Sequence, residues 1–140
     1  MTRDTGSDTV LFLDDLSPNQ AEAMRRLGEI AKLQHNWDSY GSPPPSSTAL
    51  EIVMDLLLKI DHPNLPSTDV VPVSGGGLQL EWNVSDREIQ LEISSEGTAQ
   101  YLQIERGRPV REEEIAALST EQVKLLLAWL FPVAAERRAA

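Results

Sequence analysis

At Val70 the spacing of apolar residues changes from steps of three and four to strict alternation, and this change limits the fold more than any other feature. Leu78, Leu80, Trp82 and Val84 alternate with Gln79, Glu81 and Asn83, and Ile89, Leu91 and Ile93 alternate with Glu88, Gln90 and Glu92. Successive strand side chains point to opposite faces, so a period of two marks strands with one buried and one wet side. A turn centred on Ser85 and Asp86 sets Trp82 opposite Ile89 and Leu80 opposite Leu91. The same register sets Glu81 opposite Gln90 and Asn83 opposite Glu88, so the apolar and polar patterns agree on one hairpin.

Two further strands flank it. Val70-Val71-Pro72-Val73 is joined to the hairpin by Ser74-Gly75-Gly76-Gly77, and Pro72, lacking an N–H, belongs at a sheet edge or a bulge. The stretch from Thr98 to Glu105 is a strand of ambiguous facing, with Leu102 and Ile104 pointing one way, Ala99 and Tyr101 the other, and a bulge or twist to reconcile them. The expectation is a three- to four-stranded antiparallel meander over residues 70–105, its apolar side made of Leu78, Leu80, Trp82, Ile89, Leu91 and Ile93. Residues 106–118 are expected to form a polar connection with one helical turn at Glu112-Glu113-Glu114-Ile115.

Before Val70 the pattern is helical. Ser17, Pro18 and Gln20 form an N-terminal capping signal, and Met24, Leu27, Ile30 and Ala31 make one apolar face of a helix to about Gln34. After a proline-stiffened elbow, Ser46 or Thr48 caps a second helix with Leu50, Val53, Met54, Leu57 and Leu58 as its face. Ser119 and Gln122 open a third over residues 119–131, apolar nearly all round, which sets it in the core or against a partner. The domain plan is an acidic lead segment, residues 1–16, around Val10-Leu11-Phe12-Leu13, then one domain, 17–131, and a tail, 132–140. Within that domain the helical pair spans 17–60. The fold class is α+β, a two-layer sandwich with helices on one face of the sheet.

Charge narrows the function. Twelve basic residues stand against 22 acidic ones, a formal net charge of −10, which disfavours phosphate backbones and anionic membrane surfaces. The expected partner is another protein with a basic surface, with no direct contact to nucleic acid or membrane. There is no cysteine, which excludes disulfides and thiolate chemistry and suits a reducing, cytoplasmic setting. His35 and His62 are scattered, and Gly75-Gly76-Gly77 lacks the Lys-Ser/Thr and following helix of a phosphate loop. Neither a catalytic residue, a metal nor a cofactor is expected.

Three groups of residues remain as candidates. Glu81, Glu88 and Glu92 share the polar face of the hairpin, and residues 70–105 carry six acidic residues against the single Arg87, a balance of −5. That face is either simply solvated or a docking surface for a basic partner, and a divalent-cation hydrolase or nuclease is the chemical alternative. Trp129, Leu130 and Phe131 mark the apolar last helix as a contact surface, for a partner or for a homodimer. Trp37-Asp38-Ser39-Tyr40-Gly41 is expected to be structural: Trp37 plugging the gap between helix and sheet, Asp38 accepting backbone N–H groups, and Gly41 left-handed. An exposed Trp-Tyr recognition patch is the other reading of that segment.

Trp37-Asp38-Ser39-Tyr40-Gly41 with Pro43-Pro44-Pro45, and then Gly76-Gly77-Leu78-Gln79-Leu80-Glu81-Trp82, resembles a group of small uncharacterised bacterial proteins. They share a W-D-x-Y-G segment and a later G-G-x-Q-x-E-W strand, and the likeness covers residues 33–105. It departs at Ser39, where glycine is the more usual residue. The resemblance implies a bacterial protein from a mobile or defence-related neighbourhood and transfers no activity. The resulting expectation is a non-enzymatic accessory protein, antitoxin-like or defence-associated, docking on a basic partner.

Overall fold

The computed structural model describes residues 16–60 and 64–132. The Val10–Leu13 patch and the tail beyond Pro132 lie outside the described residues. In chain order the elements are α1 (Pro18–Ile30), α2 (Ser47–Lys59), β1 (Asp69–Val73), β2 (Gly77–Val84), β3 (Arg87–Ile93), β4 (Ala99–Glu105), β5 (Arg108–Ile115) and α3 (Thr120–Trp129). The class is α+β, as expected: an antiparallel sheet in the order β1-β2-β3-β4-β5 with the helices on one face.

The hairpin register matches the alternation, pairing Trp82 with Ile89, Leu80 with Leu91, Glu81 with Gln90 and Asn83 with Glu88. Leu78, Leu80, Trp82, Ile89, Leu91 and Ile93 are all fully buried. The Trp82 indole N–H donates to Thr68 Oγ1 at 2.6 Å, so its one polar atom is satisfied inside the core. Against this layer pack Val53, Leu56 and Leu57 of α2, Ala23, Leu27 and Ile30 of α1, and Val123, Leu126, Leu127 and Leu130 of α3.

Three expectations are corrected. The sheet has five strands rather than three or four, because Glu112-Glu113-Glu114-Ile115 is part of β5 and not a helical turn. A two-residue turn, Arg106 and Gly107, both with positive φ (53° and 77°), folds β5 back on β4, and hairpin geometry prevails over composition. From Arg108 to Glu114 every residue is exposed, so no apolar alternation announces the strand. Second, the helix faces are rotated: α1 buries Gln20, Ala23, Leu27 and Ile30, and α2 buries Ala49, Val53, Leu56 and Leu57, leaving Met54 43% exposed. Third, α1 ends at Ile30 and α3 at Trp129, each shorter than expected.

Gln20 explains the rotation of α1. Its Oε1 accepts the Ser17 N–H at 3.0 Å, completing the capping box. Its Nε2 donates to the carbonyls of Leu57 (3.0 Å) and Ile60 (2.8 Å) at the C-terminal end of α2. One buried amide thus caps the start of one helix and the end of its antiparallel neighbour.

Candidate functional site

The register decides which side chains share the outer face of the sheet, away from the helices. One row across the strands is Val71, Gln79, Glu92, Gln100 and Glu114; the next is Asp69, Glu81, Gln90, Leu102 and Glu112. A third is Asn83, Glu88, Ile104 and Pro109. Amides and carboxylates therefore alternate across β2 and β3, which keeps like charges from standing directly opposite each other there. Gln79 Nε2 donates to Glu81 Oε2 at 2.6 Å, and Gln90 Nε2 to Glu88 Oε2 at 2.7 Å.

Six carboxylates, those of Asp69, Glu81, Glu88, Glu92, Glu112 and Glu114, occupy these three rows with no lysine or arginine among them. Arg87 and Arg111 project to the opposite side, in line with the buried Ile89 and Gln103. Glu105 and Glu113 lie on that side with them, each paired to one of these arginines, so the three rows of the outer face keep carboxylates alone. Leu102 and Ile104 are half-buried on the acidic face, while Ala99, Tyr101 and Gln103 turn inward, which resolves the facing of β4. β4 alternates regularly and pairs with β3 without a shift, so the bulge or twist expected within it is not what sets its facing; the register shift between Gln103 and Ile104 is in the pairing with β5, where Val110 is the extra residue.

Glu81, Glu88 and Glu92 do lie on one face, but among the described residues no three His, Asp or Glu side chains gather where they could hold a metal ion. Residues i and i+4 of one strand stand roughly 13 Å apart along the chain, so Glu88 and Glu92 are spread rather than convergent. This spacing withdraws support from the cation-dependent hydrolase. Beside the acidic face is a recess of about 650 Å³ whose charged lining is Glu92, Glu96 and Glu114.

The Trp37–Pro45 and Ser74–Trp82 segments, far apart in sequence, meet in space. Asp38 Oδ2 accepts from the hydroxyls of Ser42 and Ser74, each at 2.6 Å, and Oδ1 accepts from the Tyr40 N–H (2.9 Å) and the Ser42 N–H (3.3 Å). These donors, the Ser42 and Ser74 hydroxyls foremost, hold the Asp38 carboxyl well below its ordinary range. The Ser46 N–H donates to the Gly76 carbonyl at 3.0 Å, while Ser46 Oγ caps α2 and donates to the Ser95 carbonyl at 2.8 Å. Gly76, at φ 93°, lies where a Cβ would stand 3.3 Å from the Pro44 carbonyl oxygen. The glycine run and the proline elbow are therefore two sides of one junction, joining the helix pair to the sheet.

Within that junction Asp38 accepts backbone N–H groups and Gly41 is left-handed (φ 79°), both as expected. Trp37 is not the expected plug: it is half-buried outside the core cluster, and its indole N–H donates to the Pro43 carbonyl at 2.9 Å. Tyr40 is 89% exposed. Ser39 has φ 66°, a left-handed conformation that glycine adopts at less cost than serine.

The last helix offers less surface than its composition suggests. Leu130, expected at a contact surface, is fully buried. Trp129 and Phe131 are half-buried against the core. The guanidinium carbon of Arg87 stands 4.6 Å from the centre of the Trp129 ring, and its Nη1 donates to the Trp129 carbonyl at 2.5 Å. Glu105 accepts from the same guanidinium at 3.4 Å. Arg87 thereby ties the end of α3 to the sheet. Leu125, a position not singled out from the sequence, is 73% exposed instead.

No helix among the described residues is long and apolar enough to cross a membrane. No family model, curated protein or solved structure matches the chain.

Proposed function

We propose that the chain is a non-enzymatic accessory protein that docks a basic surface of another protein onto the outer face of its sheet. The observation that carries this reading is the distribution of charge: among the described residues, the strand rows of that face hold six carboxylates and no cation. Unlike charges steer encounter and fix register, and the half-buried Leu102 and Ile104 supply an apolar contact among the acids. The adjoining recess, with Glu92, Glu96 and Glu114 at its wall, has the charge to accept a lysine or arginine of the partner. An antitoxin-like or defence-associated inhibitor is one concrete form of such a protein.

The test is recovery of a stoichiometric partner from the native host by the parent chain and by a Glu88→Gln/Glu92→Gln/Glu112→Gln variant. Exposed charge pairing is screened within about 8 Å at physiological salt and about 3 Å at 1 M. Binding should therefore weaken steeply with salt and vanish in the variant. A partner held equally by both proteins, or insensitive to salt, refutes the docking face.

Self-association is the second reading, favoured by one observation: Leu125 stands 73% exposed at the rim of a recess of about 250 Å³ shared with Tyr101, Glu113 and Leu126. Sedimentation of the parent and of Leu125→Glu distinguishes it, a dimer lost in the variant being the expected signature.

A further inference from the structure

The sheet is open, with β1 at one edge and β5 at the other. On an edge strand alternate residues turn their N–H and C=O groups away from the sheet, where another chain can pair with them. β1 offers little: it is five residues long, holds Pro72 and is packed against α1. In β5 the first half is broken by Pro109 and by the extra residue Val110. From Arg111 to Ile115 it pairs regularly with β4, has no proline, and among the described residues no strand pairs with its outer edge.

The two sides of that segment differ in chemistry. Glu112 and Glu114 project to the outer face, in rows that hold no cation. Arg111, Glu113 and Ile115 project to the helix side, where Arg111 and Glu113 pair at 2.9 Å and the Tyr101 hydroxyl donates to Glu113. With those charges matched, the helix side is left with a recess of about 250 Å³ between β5 and α3, and Leu125 stands 73% exposed at its rim.

We propose that β5 receives an added strand from the partner over Arg111–Ile115, with side chains alternating between basic and apolar. The proposal rests on the docking reading for its basic side and deepens it by giving the partner's shape. Main-chain hydrogen bonds would hold the strand, and the two unlike sides of β5 would select its alternate side chains. Lysine or arginine would stand over Glu112 and Glu114, and the residues between them would turn toward Leu125. Charge on an edge ordinarily keeps other chains away. Charge of one sign is selective instead: it repels carboxylates and admits cations. A second copy of this chain is a poor occupant, because antiparallel pairing of two β5 edges would join two carboxylate faces on one side of the combined sheet.

The test uses the full chain and a blocked peptide that alternates lysine and leucine and matches Arg111–Ile115 in length. Methylating the lysine nitrogens of this probe removes the donors along one of its edges, and methylating the leucine nitrogens removes those along the other. The unmethylated probe should slow hydrogen exchange at the outward amides of Arg111–Ile115 several-fold. One methylated form should match it and the other should lose the effect. Glu112→Gln/Glu114→Gln should weaken the unmethylated probe several-fold at low salt. Unchanged exchange in β5 overturns the proposal. So do two methylated forms that act alike, or a peptide with its lysines and leucines in separate blocks that binds as well, since charge alone would then hold the probe. β5 amides that exchange slowly without the probe overturn it too, by showing an edge covered within the chain, or by a second copy where the slowing grows with concentration. The docking reading fails separately, on a host partner indifferent to Glu88→Gln/Glu92→Gln/Glu112→Gln, whereas strand addition is read on the β5 amides.

Discussion

Replacing Gly77 by alanine sets a methyl carbon 2.6 Å from the Ile93 carbonyl oxygen and 3.4 Å from the Ser94 Cα. The obstacle is the backbone where β3 ends, so no side chain can rotate away to make room. Relief requires β2 to shift against β3, and the adjacent pair Leu78 and Ile93 is fully buried, so the shift would disturb the core. Overpacking of a closed site costs about 1–3 kcal/mol, and a clash with strand backbone belongs at the upper end, about 3 kcal/mol. For a chain of this size that is a fall in Tm of about 12 °C, at roughly 4 °C per kcal/mol. Urea unfolding followed by tryptophan emission measures it. The midpoint should fall while the slope against denaturant is kept, since the surface exposed on unfolding is nearly unchanged. A Gly77→Ala protein with the parental midpoint would refute the argument that close approach, rather than turn conformation, demands glycine here.

Three further outcomes follow from single contacts. Ser39→Gly should stabilise by about 0.5–1 kcal/mol, the relief of a left-handed serine less the extra entropy of glycine in the unfolded chain, read as a raised urea midpoint. Gln20→Glu should cost about 2–3 kcal/mol at neutral pH, because a carboxylate would face the Leu57 and Ile60 carbonyls. That carboxyl would have a raised folded pKa, so the lost stability should return as pH falls through it. Asp38 has the opposite sign. Its depressed folded pKa means its contribution is complete above an unfolded value of about 3.9 and is lost as pH falls further. Asp38→Asn should therefore be less stable than the parent at neutral pH and approach it in acid, as urea titrations from pH 7 to pH 2 would show.

The candidate face was partly legible in advance. Glu81, Glu88 and Glu92 follow from two alternating strands, whose pleat fixes facing once one register is known. Glu112 and Glu114 were not, because β5 has no buried alternation and its first seven residues are all exposed. Its only local signal was Arg106-Gly107, a two-residue turn placed after a strand. Leu125 and Leu130 show the complementary limit. An all-apolar helix does not say which leucine is sealed and which is bare until its docking angle is set.

What the sequence determined alone is whatever depends on neighbours within a few residues: capped helix starts at Ser17 and Ser119, a hairpin at Ser85–Asp86, a left-handed Gly41. Local patterns carry these because cap, pleat and turn are local interactions. Only the tertiary structure decided that Gln20 would bridge two helices, that Asp38 would reach Ser74, and that the anionic residues of β1, β2, β3 and β5 would share one surface. Those contacts join residues tens of positions apart, and no spacing in the chain encodes them. The shared acidic surface arises when burying Trp82 and its neighbours turns the alternate residues of β2 and β3, Glu81, Glu88 and Glu92 among them, outward together.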